Sequence, residues 1–172
     1  MRLLPLERVS NLAITHIITL GEFIFLSLYF RAILKEDTFL DKYFRIYLGI
    51  VGGLIIANTL FIEKINVFNT NAKILVLFLI IIWIVYFFYD RSKKLMEVDI
   101  HEKAIRLINS GLLLYYSGSF FWFLFYKFTI NNEVFYSHKV LIFNAALYLF
   151  FTIIVSIAIL RVVFHRTKST TE

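Results

Sequence analysis

Residues 107–128 read LINSGLLLYYSGSFFWFLFYKF, and this stretch decides the fold. About 20 apolar residues in a helix cross the roughly 30 Å of hydrocarbon in a bilayer. Ser110-Gly111 and Ser117-Gly118 recur seven residues apart, so two small pairs stack on one side of a helix and let a neighbouring backbone come close. The segment is that of a membrane helix that packs against others.

Composition extends this reading to the whole chain. Of its 172 residues 60% are hydrophobic, 20 are Phe and 10 are Tyr, and the mean hydropathy is +0.78, outside the range of water-soluble domains. Cysteine is absent, which excludes disulfides, thiolate metal sites and cysteine nucleophiles. The net charge of +6 is scattered among the flanks of apolar runs and does not gather on one face. It therefore speaks for membrane orientation and not for a nucleic-acid partner.

Five spans are expected in an all-α, polytopic bundle forming a single integral-membrane domain over residues 1–172: about 9–30, 45–62, 72–89, 107–130 and 139–160. Arg2 ahead of the first run raises a signal peptide, but the run is long, contains Glu22 and lacks a small-x-small cleavage site. Residues 31–44 read as a charged connection, 63–71 as an Asn-rich turn, 91–106 as a mixed-charge loop with room for a short surface helix, and the end of the chain after 160 as a basic tail. The third span has almost no polar residue, so it is expected to face lipid more than its neighbours do. Arg2, Arg8, Lys64, Lys73, Lys127 and Lys139 fall on one side of such a topology, and the other twelve basic residues on the opposite side. That bias places the N-terminus outside and the C-terminus in the cytoplasm.

Polar side chains inside spans are costly and need partners or a water-filled cavity. With 100° per residue and His16 at zero, Ser27, Thr19, Thr15, Glu22 and Asn11 fall within an arc of about 160° that points into a bundle. His16, Thr19 and Glu22 either form a proton- or ligand-responsive site or are satisfied by neighbouring helices. Asn58 is the strongly polar interior residue of the second span. On the fourth span Asn109, Tyr116, Arg106, Ser117 and Ser110 form a second stripe, which lines a pocket with the first or acts as hydrogen-bond glue. Gly49 and Gly53, with Gly52 between them, make a G-x-x-x-G spacing on the second span, and Ser110, Gly111, Ser117 and Gly118 do similar work on the fourth. These sets serve packing within the bundle or self-association. The four histidines are dispersed, with no ligand-like helical spacing, so no metal is expected. No nucleophile elbow, H-E-x-x-H or Gly-rich phosphate loop is present, so no catalytic residue is assigned and no enzyme or cofactor is expected.

Three stretches carry a resemblance: EFIFLSLYFRAIL at 22–34, NTLFIEKINVFNTNAK at 58–73 and INSGLLLYYSGSFFWFLF at 108–125. The pattern is similar to an uncharacterised family of small multi-pass bacterial membrane proteins often encoded beside sensor histidine kinases. Members tend to carry further spans ahead of the segment matching Glu22, and this chain starts just before it. The resemblance implies a bacterial inner-membrane location and a membrane partner such as a histidine kinase, but supplies no catalytic residues. Three readings follow as expectations: a signalling or accessory component acting with a membrane partner, a small transporter or transport subunit using the polar site around Glu22, or a structural bundle remnant with no activity of its own.

Overall fold

The computed structural model describes residues 5–34, 38–65, 69–93, 99–129 and 135–171, with side chains described for all of these except 5–12, 38–41, 126–129, 135–141 and 166–171. Every regular element among them is helical: α1 (Pro5–Ile33), α2 (Thr38–Ala57), a π turn (Asn58–Ile62), α3 (Thr70–Lys93), α4 (Ile100–Thr129) and α5 (Phe135–Thr171). Five of these helices are long and apolar enough to cross a membrane, with windows at Ala13–Ile33, Lys42–Ile62, Thr70–Lys93, Ile100–Phe125 and Ile142–His165. The all-helical, five-span architecture is therefore present. The chain divides into two compact units, Met1–Ile80 and Ile81–Glu172.

Several connections are shorter than the sequence suggests. Residues 38–44 belong to α2 and not to the 31–44 connection, because Phe44 is buried and Arg31, in the last turn of α1, lies 4.8 Å from its ring centroid. A guanidinium over an aromatic face is favourable, so the charge helps to hold this helix end. The 91–106 loop also shrinks. Asp99 caps α4: its Oδ1 accepts from Ile100 N at 2.6 Å and its carbonyl from Lys103 N at 2.9 Å, with Glu102 in the first turn facing the positive end of the helix. The basic tail after residue 160 is a continuation of α5 to Thr171.

The third span departs from its expectation in part. Its window is 33% buried, more than the 17% of α2 though less than the 39% of α4, and Val76, Leu77, Ile80, Ile84 and Phe87 form a stripe at helical spacing with almost no exposure. Lipid tails and protein interiors are equally apolar, so hydrophobicity alone does not choose between them.

In the first unit α1 and α2 run antiparallel, with Arg31 meeting Phe44, Phe23 lying 5.6 Å from Tyr47 between ring centroids, and His16 meeting Thr59. In the second unit α4 and α5 form an antiparallel pair. A Cβ at Gly111 would stand 3.0 Å from Ile154 and 3.2 Å from Phe151, and one at Gly118 would overlap Leu147. The Ser-Gly pairs of the opening stretch thus mark where α5 comes close. Tyr115 stacks on Phe151 at 5.7 Å and meets Tyr148 edge-on, and Ser119 Oγ donates to Asn144 Oδ1 at 2.7 Å. A Cβ on Gly49, Gly52 or Gly53 would meet nothing within 4 Å among the described residues.

Candidate functional site

The polar groups of the first unit gather where α2 turns into α3. The turn is built by a change of helical register. Glu63 N donates to Asn58 O at 2.8 Å, the i to i+5 bond of a π turn, which inserts one residue into the helix. With that extra residue Asn58 is buried, and its Nδ2 donates to Glu63 Oε2 at 2.8 Å and to Asn69 Oδ1 at 3.3 Å. The Glu63 carboxylate in turn accepts from Asn71 N, 3.0 Å from each oxygen, so it sits on the unsatisfied amides at the start of α3. One carboxamide and one carboxylate therefore close the end of α2 onto the beginning of α3.

α1 joins this cluster at two levels. His16 Nδ1 lies 3.0 Å from Thr59 Oγ1, whose own hydroxyl donates to Ile55 O at 3.1 Å. The Thr59 hydroxyl thus ties the His16 ring of α1 to the backbone of α2. Deeper along α1, Glu22 forms an ion pair with Lys73 of α3, each side chain 16% exposed. Glu22 is nine residues into the Ala13–Ile33 window, about 14 Å along the axis and so near the middle of a span. A carboxylate at that depth is expensive alone, and the ammonium supplies its countercharge. Thr19 and Ser27 are buried on the same face, and Thr19 Oγ1 is bonded back to Thr15 O at 2.9 Å, as helical hydroxyls commonly are. Asn11 lies outside the described side chains.

Of the first-span residues singled out by sequence, His16 and Glu22 thus have partners on the π turn and α3, and Asn58 sits in the same polar cluster. Thr59, Glu63, Asn69, Asn71 and Lys73 complete it and were not foreseen, because four of them lie in what reads as a turn or a flank. An Asn five residues ahead of a Glu is the signal that was available. An open cleft of about 330 Å³ adjoins the π turn, with Asn58 and Asn71 as its polar lining.

The fourth-span stripe is rotated from its expected position. Asn109, Leu112, Tyr116, Ser119 and Phe123 are buried, whereas Ser110 is exposed and bonded back to Arg106 O at 2.9 Å, and Ser117 is half-buried. Asn109 Nδ2 donates to Ile105 O at 2.9 Å. Arg106 sits on the charged end of α4, its Nε 2.9 Å from Glu102 Oε1, while Arg91 Nε lies 3.5 Å from that oxygen. Ser119 and Asn144, absent from the sequence reading, supply the polar contact between α4 and α5. Among the described residues no three His, Asp or Glu side chains come together as metal ligands would.

The five long apolar helices define a multi-pass integral membrane protein. No protein-family model matches the chain, and neither does any curated protein or solved structure.

Proposed function

We propose that the chain is a signalling or accessory component of a bacterial inner membrane, with its C-terminus in the cytoplasm, that docks through its spans on another membrane protein, a sensor histidine kinase. The observation that carries this reading is the open glycine face of α2. Gly111 and Gly118 on α4 already receive side chains of α5, but the G-x-x-x-G face at Gly49 and Gly53 receives nothing within 4 Å among the described residues. Small residues on a span favour close helix association, because backbones can touch where side chains would hold them apart. The family resemblance supplies the partner class. Co-purification with a kinase encoded beside the chain tests it. A Cβ at Gly53 meets nothing within 4 Å among the described residues, so Gly53→Leu does not lower thermal stability, and it weakens kinase recovery about tenfold, the equivalent of roughly 1.4 kcal/mol of helix association. A clean monomer with no partner and no effect of deletion on kinase output refutes the reading.

A transport reading draws on one observation, the Glu22–Lys73 pair inside the first and third spans. Solute flux in proteoliposomes that is abolished by Glu22→Gln favours it over docking.

A further inference from the structure

The cleft beside the π turn has a composition and a position that specify its occupant. Leu54, Ala57, Ile62 and Leu75 give it apolar walls, and Asn58 and Asn71 stand at its polar part. The π turn shapes it: the extra residue per turn carries Asn58 inward and leaves Phe61, 83% exposed, as an outward rim. A polar solute has too few hydrogen-bond partners on such walls, and water is held only where two to four polar groups converge. The cleft lies between the end of the second candidate span, Lys42–Ile62, and the start of the third, Thr70–Lys93, the level at which a lipid's acyl chains leave its headgroup.

We propose that this cleft is a binding site for one acyl chain of a membrane phospholipid. Its volume of about 330 Å³ accommodates roughly ten methylene groups if each fills about the 30 Å³ of a water molecule. The chain lies against Leu54 and Leu75 under the Phe61 rim, with its ester end at the level of Asn58 and Asn71. The bound lipid fills the gap that the π turn opens beside α3, so lipid supply and the packing of this turn are coupled. This site is independent of the docking reading, since it needs no protein partner.

The test uses the full chain purified in mild detergent and a phospholipid carrying a photoreactive diazirine in its acyl chain. Crosslinks mapped by mass spectrometry are expected at Leu54, Phe61 and Leu75 about tenfold above those at equally lipid-accessible positions such as Ile17 and Leu149. Native mass spectrometry is expected to find one phospholipid retained per chain after delipidating washes. Ala57→Phe, which places a ring in the cleft, is expected to lower that retention about tenfold, while Leu149→Phe leaves it unchanged. Uniform crosslinking along all exposed faces overturns the proposal even if Ala57→Phe does not fold. So does a wild-type chain that retains no phospholipid, or one that retains only detergent or a neutral isoprenoid.

Discussion

Breaking the Glu22–Lys73 pair from either side is expected to cost unequal amounts. Lys73 is three residues from the start of its span, about 4.5 Å along the axis, whereas Glu22 lies about 14 Å from the start of its own. Glu22→Gln leaves an ammonium on a long stem that can turn toward the nearby span end, so the loss is about 1–2 kcal/mol. Lys73→Met strands the carboxyl near mid-span on a short side chain with no such route, and the loss is about 3 kcal/mol, the lower end of what breaking a buried pair costs. Combining the two, as Glu22→Gln with Lys73→Met, leaves neither charge without its partner and returns stability to within about 1 kcal/mol of the starting protein. The double-mutant cycle thus carries a coupling of at least about 3 kcal/mol. Reversible unfolding in mixed micelles, followed by circular dichroism for the four proteins, measures it. Additive losses in the double variant refute the view that the pair is a local charge balance, and equal losses in the two single variants refute the depth argument.

Asn58→Leu removes both donors of the turn, leaving Asn69 Oδ1 buried without that bond and the α3 end less firmly held. A loss of about 2 kcal/mol is expected, with faster hydrogen exchange at the Asn71 amide, read by thermal unfolding and exchange mass spectrometry. Gly111→Ala presses on Ile154 and Phe151 and is expected to destabilise by about 1–2 kcal/mol, whereas Gly53→Ala meets nothing and is neutral or stabilising by up to about 1 kcal/mol. Equal destabilisation at both glycines contradicts the assignment of α4 as the close-packed helix. Ser119→Ala loses its bond to Asn144 and is expected to cost about 0.6 kcal/mol in the same assay.

The number of spans was legible because length and apolarity are properties of contiguous sequence, and no soluble alternative satisfies runs such as 72–89. Helix ends were harder. Residues 38–44 alternate Asp41 and Lys42 with Phe39, Tyr43 and Phe44, which reads as a loop when charge is counted and as a helix once Arg31 is placed over Phe44. The start of α4 was more accessible, since Asp99 three residues ahead of Glu102 is a capping pattern. The lipid-facing expectation for α3 failed against α2, though not against α4, for a reason intrinsic to membranes: burial against protein and burial against lipid select the same side chains. What separates them is the small or polar residue, and α3 carries few of either in its apolar run.

The same asymmetry explains the candidate site. A helical wheel relates residues of one helix, so it placed His16, Thr19 and Glu22 on a common arc, but it carries no information about what that arc meets. Their partners Thr59 and Lys73, like the carboxamides around Glu63, lie where α2 ends and α3 begins. There the register changes by one residue and wheel angles lose their meaning. The run NTLFIEKINVFN, singled out in the sequence as distinctive, turns out to begin and end with the two asparagines that touch, Asn58 and Asn69. Its polar residues fix the α2–α3 connection, and its apolar residues Phe61 and Ile62, pushed outward by the π turn, form the rim of the cleft. The closed turn and the cleft thus arise from the same inserted residue, and removing that insertion by deleting one position between Asn58 and Glu63 is expected to abolish the cleft and the carboxamide contact together, read as loss of slow hydrogen exchange at the Asn71 amide.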